Sequence, residues 1–244
     1  MTAAAELVAH LRTLANPRDA EGQRRYGIRP GGELLGIRAP VLREIARGHR
    51  RDHPLALELW TSGIHEARII ATLVDDPKAV NRSQMERWVR GCDNWAVTDA
   101  CCCVLFDRTP YAIEKAHAWS RRRSEFVKRA GFVLMAGLAV HRKELPDDVF
   151  LEFLPIIRRE AADERNFVRK AVNWALRQIG KRNPRLRHAA IAEATIIRKL
   201  PSPSARWIAA DALRELTRHA LHQRRYDPRE SAFRGLACES GHPG

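Results

Sequence analysis

The sequence predicts an all-α solenoid, a right-handed superhelix of stacked helix pairs. Three observations carry that expectation. Apolar residues recur at helical spacing along the chain, and no stretch shows a strand's period of two. The helices come in pairs joined by short links holding Pro, Gly, Asp or Ser. The second helices of those pairs resemble one another: Phe126-Val-Lys-Arg-Ala130 parallels Phe167-Val-Arg-Lys-Ala171, and the run 168–179 parallels 205–216. The units are spaced by roughly 30 to 41 residues, the range of helical repeats. One pair cannot bury its apolar face alone, so pairs stack and their second helices line one surface side by side.

Taken in order, residues 3–14 carry Leu7, Val8, Leu11 and Leu14 at helical spacing, and Asn16-Pro17 ends that helix. A short helix to Arg25 and a Gly/Pro loop over 26–32 follow. Pro40 suits the first turn of a helix reaching about Gly48. The pairs are then 54–60 with 65–74, 81–89 with 95–106, 110–119 with 125–141, 147–160 with 165–181, and 184–199 with 204–221. Residues 1–222 read as a single domain. From 223 on, too few apolar residues remain to pack, so a disordered basic tail is expected.

Charge narrows the partner. Of 244 residues, 43 are Lys or Arg against 29 Asp or Glu, a formal net charge of +14. That excess favours a polyanion, and arginine's planar fork suits phosphate oxygens. Nucleic acid is favoured over an anionic membrane, because no basic amphipathic helix shows an exposed aromatic edge. The most apolar run, 130–140, is about half the length a bilayer span needs. The start, Met1 to Glu6, is charged and lacks the apolar run of a signal peptide. The five cysteines are odd in number and three are adjacent, which suits a reducing, cytoplasmic compartment. No His follows them at ligand spacing, so neither metal nor cofactor is implied, and Cys102 and Cys103 read as small core residues.

One stretch, 91–103, stands apart. Asp93 or Asn94 can cap a helix starting at Trp95, and Trp95 and Asp99 are then one turn apart on the same face. Sliding the second helices onto each other puts Asp99, Arg129 and Lys170 at equivalent positions, with Trp174 one turn beyond Lys170. Trp95, Asp99, Arg129 and Trp174 should therefore share a surface, with one carboxylate set among bases. Arg38, Arg43, Lys128, Arg169, Lys170, Arg177 and Arg206 are the candidate phosphate contacts. The competing readings are structural: an ion pair for Asp99 and Arg129, core packing for the indoles, solvated charge for each base. Trp60, Trp88, Trp119 and Trp207 are assigned to packing.

These residues resemble a known family, the bacterial DNA alkylation repair glycosylases of the AlkD type, built of HEAT-like repeats. The resemblance runs from about Tyr26 to Leu216. It is carried by Gly36-Ile-Arg-Ala-Pro-Val-Leu-Arg43, His65-Glu-Ala-Arg68, Asn94-Trp-Ala-Val-Thr-Asp99, Phe126-Val-Lys-Arg129 and Lys170-Ala-Val-Asn-Trp-Ala-Leu-Arg177. It implies two tryptophans, an aspartate and an arginine as active groups, here Trp95, Trp174, Asp99 and Arg129. The implied reaction is hydrolysis of the N-glycosidic bond of cationic alkylpurines, chiefly N7-alkylguanine and N3-alkyladenine. The nucleotide would be held from its sugar and backbone side. In that role Arg129 holds a backbone phosphate and keeps Asp99 ionised. Phe126 stands where a Trp would be expected, and the Cys101 to Cys103 run has no counterpart. No lysine is placed for a Schiff base, so hydrolysis without strand cleavage is expected, by a monomer acting on duplex DNA. Two rivals are a non-catalytic binder of bent or branched DNA and a protein-interaction scaffold.

Overall fold

The computed structural model describes residues 2–225, with side chains through Arg218. The polypeptide is built of helices. Among the described residues the strand-like element is an isolated parallel bridge between Glu33 and Ile64. The helices are α1 (Ala3–Thr13), α2 (Pro17–Arg25), α3 (Ala39–Ala46), α4 (His53–Thr61), α5 (His65–Val74), α6 (Arg82–Gly91), α7 (Trp95–Ala100), α8 (Ala112–Trp119), α9 (Glu125–His141), α10 (Asp147–Glu160), α11 (Asn166–Lys181), α12 (Pro184–Ile197) and α13 (Pro203–Arg225). The pairs expected from periodicity are all present, and the architecture is a HEAT-like solenoid of helix pairs. The disordered tail expected from residue 223 starts within α13, which is helical to Arg225, and residues 226–244 lie outside the described region.

Local chemistry sets the helix starts. Asn16, Asp52, Asn81, Asn94 and Asn183 each accept a free backbone N–H of the first turn. Proline occupies the first turn of α2, α3, α4 and α12, where its missing N–H costs nothing. The second helices α5, α7, α9, α11 and α13 pack side by side in chain order. The first helices form the outer layer, and the core lies between. Trp60, Trp88 and Trp119 are buried there, with Trp60 and Trp88 stacked at 4.1 Å between ring centroids. Trp207 departs from its expected core role. It stays 39% exposed, and the Arg169 guanidinium lies 5.2 Å above its ring.

The helix expected over 95–106 is interrupted. After Ala100 the chain takes a π-helical turn, Cys101–Leu105, and then a 3₁₀ turn, Phe106–Arg108. The three cysteines sit in the π turn. Cys101 and Cys102 are fully buried and Cys103 partly so, with the Cys102 thiol donating weakly to the Ala130 carbonyl. Burial pushes all three thiols well above their ordinary range, so they are inert packing groups.

The N-terminal helices are tied to the stack by one buried carboxylate. Glu66, on α5, accepts from the backbone N–H groups of Leu35, Gly36 and Ile37 at 2.7–3.3 Å. Gly36 adopts φ +79, and a Cβ there would lie 2.3 Å from the Asn16 carbonyl oxygen, so the position requires glycine. This clamp fixes the segment that leads to Arg38 and α3.

Candidate active site

Asn94 is the residue that caps α7. Its side-chain oxygen accepts from Ala96 and Val97 at 3.0 and 3.2 Å. Asp93 instead receives the Gly31 N–H at 2.8 Å and holds the loop over 26–32 against the start of α7. The cap sets the helix so that Trp95 and Asp99 point the same way, into a cavity of about 700 Å³. Arg129 from α9 and Lys170 from α11 line the same cavity, so the register read from the repeats describes the real packing.

Arg129 grips Asp99 through both ends of its fork. Its Nε donates to Oδ1 at 2.8 Å and its Nη2 to Oδ2 at 2.7 Å, while Nη1 donates to the Phe167 carbonyl at 2.7 Å. Such bidentate, charge-assisted bonds fix orientation as well as charge. The Arg129 side chain is 7% exposed and that of Asp99 21%. The arginine is a buried brace and the carboxylate is open to the cavity. Burial lifts the Asp99 carboxyl above its ordinary value, against the opposing pull of Arg129. The expectation that Arg129 holds a backbone phosphate is corrected: its three nitrogens are committed inside the protein.

Trp95 donates its indole N–H to the Tyr26 carbonyl at 2.9 Å and packs on Ala20, Ile28 and Leu34. Its ring is thereby fixed beside Asp99. Trp174 is not among the residues lining the cavity. It is half-buried against the core, and its indole N–H lies 3.0 Å from the Gln178 amide, in the orientation that also meets Lys181.

The candidate phosphate contacts divide into two groups. Lys128 is spent on Glu160 and Asp163 at 2.6 and 3.2 Å and is mostly covered. Arg177 is spent on Asp211 at 2.9 Å and on Glu215. Both are corrected to struts between neighbouring repeats, their acidic partners lying 32 to 38 residues on. Arg169 is engaged by Trp207 and by Asn166 at 3.4 Å. Arg38 pairs with Asp19 at 2.8 Å but keeps most of its side chain in solvent at the cavity rim. Arg43, Lys170 and Arg206 are exposed, with no acidic partner among the described residues, and Lys170 sits on the cavity itself. Arg43 lines an adjoining, more apolar cavity of about 370 Å³ that also reaches Trp95 and Asp99.

Sequence reading missed the contribution of α2. Asp19 and Gln23 of α2, with Tyr26 directly after it, line the main cavity, so Asp99 is not the single carboxylate there. The Gln23 side-chain oxygen is buried without a partner, and Tyr26 stands in solvent at the mouth. The one signal was the loop over 26–32, whose Gly and Pro content marks a turn but not where it docks. No described helix is long and apolar enough to cross a membrane.

No curated protein matches the chain. A solved structure with TM-score 0.73 and 18% identity covers 88% of this chain and 94% of its own; it is described as a new family of proteins related to the HEAT-like repeat DNA glycosylases with affinity for branched DNA structures. At that identity the likeness establishes the fold. A family model described as DNA alkylation repair enzyme matches residues 7–221, from the first helix into the last, and the chain belongs to that family.

Proposed function

We propose that this protein is a DNA glycosylase that hydrolyses the N-glycosidic bond of cationic alkylated purines, chiefly N7-alkylguanine and N3-alkyladenine, in duplex DNA. The observation that carries the reading is the Asp99 carboxylate, held in a fixed orientation by Arg129 yet open to a cavity beside the Trp95 ring.

A purine alkylated to a cation leaves as a neutral base, so no acid is needed to protonate it. As the bond breaks, the electron pair goes to the base and positive charge grows on the deoxyribose. A carboxylate aimed at that sugar lowers the barrier. At ~4 Å and an effective dielectric of ~20 the attraction is about 4 kcal/mol. That corresponds to roughly a thousandfold in rate. Each Asp99 oxygen accepts one bond from Arg129 and keeps a second lone pair, which can orient the attacking water. The approaching cationic base favours the ionised carboxylate that burial alone disfavours.

Trp95 offers its ring face to the developing cation. Trp174, outside the cavity lining, takes the second aromatic role only if bound DNA extends along α11 past Lys170. Lys170, Arg43 and Arg206 supply phosphate contacts that are independent of sequence and sensitive to salt.

A second reading is a binder of branched DNA without catalysis, favoured by the fold's likeness to a protein described as having that affinity. Incubating the wild-type protein with N7-methylated duplex separates the two. The glycosylase releases free N7-methylguanine and leaves an intact abasic strand; the binder releases nothing.

A further inference from the structure

Of the six tryptophans, Trp207 is the exposed one. A single apolar side chain in water is ordinary, but the place of this one on the stack is not. The run 205–216 repeats the run 168–179, so Trp207 in α13 takes the position of Lys170 in α11. Lys170 in turn matches Arg129 in α9 and Asp99 in α7, and those three side chains share one cavity. Trp207 therefore continues the row by one more helix, on the neighbour of α11. Three helix spacings, roughly 24–30 Å, separate it from Asp99.

The ring is held in place among cations that are not neutralised. The Arg169 guanidinium lies 5.2 Å from the ring centroid. No acid pairs with Arg169 among the described residues: its Nη2 reaches the Asn166 side chain at 3.4 Å, and its Nε is buried without an acceptor. Glu164, whose charge reaches Arg169 and Arg206, is spent on the Ser202 hydroxyl at 2.6 Å and the Ser204 N–H at 3.2 Å. Those bonds, with the Ser204 hydroxyl on the Asp163 carbonyl at 2.9 Å, tie the start of α13 to the turn before α11. Ring and guanidinium thus stand on two helices fixed to each other. The Trp207 indole N–H has no acceptor among the described residues, whereas Trp95 and Trp119 donate theirs inside the protein.

We propose that Trp207 packs on the sugar–phosphate backbone of one DNA strand, at the far end of the track that begins at the Asp99 cavity. The open part of the ring takes the apolar face of a deoxyribose, and the N–H takes a phosphate oxygen. Arg169, Lys170 and Arg206 serve the phosphates on either side. The inference rests on the reading of this row as a DNA surface, but not on hydrolysis.

The test uses the full chain and an unmodified duplex of ~25 base pairs, which at ~3.4 Å per pair outruns the row. Trp207→Ala binds it about three- to thirtyfold more weakly, the worth of the ~30–80 Å² of ring that a sugar would cover. The slope of log K against log salt stays the same, because an apolar contact releases no counterions. Arg206→Ala lowers that slope by about one contact. Trp207→Phe keeps part of the affinity lost in Trp207→Ala. Acrylamide quenches the Trp207 indole in free wild type, saturating duplex shields it, and the shielded fraction is missing from Trp207→Phe. Unchanged affinity in Trp207→Ala with only Tm lowered makes the ring a stitch between repeats and overturns the contact. Wild-type quenching that is equal with and without duplex overturns it as well. Base release by wild type with DNA binding unaffected in Trp207→Ala removes the contact alone. The Trp207 pattern without base release removes the hydrolase alone.

Discussion

Replacing Arg129 by alanine separates its bracing role from phosphate holding. The change deletes two bonds to Asp99 and one to the Phe167 carbonyl, and with them the link from α7 through α9 to α11. Breaking a buried ion pair costs about 3–5 kcal/mol, because the surviving charge is left without a partner. Asp99 keeps part of its side chain in solvent, 21%, so the low end applies, about 3 kcal/mol. For a domain of this size that lowers Tm by about 6–12 °C. Arg129→Ala/Asp99→Asn recovers part of the loss, since the amide no longer leaves a stranded charge. Without the fork the Asp99 carboxyl rises further, so the acid limb of base release moves to higher pH. The salt dependence of DNA binding is unchanged. Thermal melts of the cycle, with binding titrated against salt, check these outcomes. A Tm within 2 °C of wild type, or a salt slope shallower by one contact, would refute the brace and restore the phosphate role.

Glu66→Ala leaves the Leu35, Gly36 and Ile37 N–H groups buried without an acceptor, costing about 3–9 kcal/mol. Hydrogen exchange should localise the loosening to residues 16–38, and uniform protection there would contradict the clamp. Lys170→Ala lowers the slope of log K against log salt by about one contact, whereas Lys128→Ala leaves the slope alone and lowers Tm. Base release by wild type rises with pH through the Asp99 titration, because the ionised form is the active one. In kcat/KM, which reports the free protein, its acid limb lies above the ~3.9 of a free aspartate, since burial raises that carboxyl. A kcat/KM flat from pH 4 to 8 would remove Asp99 from the chemistry.

What could be read from the chain follows from the range of the interactions. The spacing of apolar residues marked α5, α9 and α10 to the residue, although none of them starts on a side-chain cap. The equivalence of Asp99, Arg129 and Lys170 was legible because neighbouring repeats stack in register, so sequence alignment becomes spatial adjacency. The same logic could not say which cations are free. Lys128 and Arg177 are neutralised by acids of the next repeat, and nothing local to either residue marks the pairing. The inward partners of Arg129, the Asp99 carboxylate and the Phe167 carbonyl, were hidden for the same reason. The walls supplied by α2 were illegible altogether, because they depend on where a short helix docks. Glu66 sets that docking through backbone N–H groups, which carry no side-chain signature. The π turn at Cys101 was hidden because its residues are as apolar as a regular helix would require.

The central claim, that Asp99 acts on the sugar of a cationic alkylpurine nucleotide, is tested most directly by single-turnover release of N7-methylguanine from methylated duplex, wild type beside Asp99→Asn. The account predicts base release by wild type, roughly a thousandfold slower in the variant, with DNA affinity retained. Equal rates in the two proteins would contradict it.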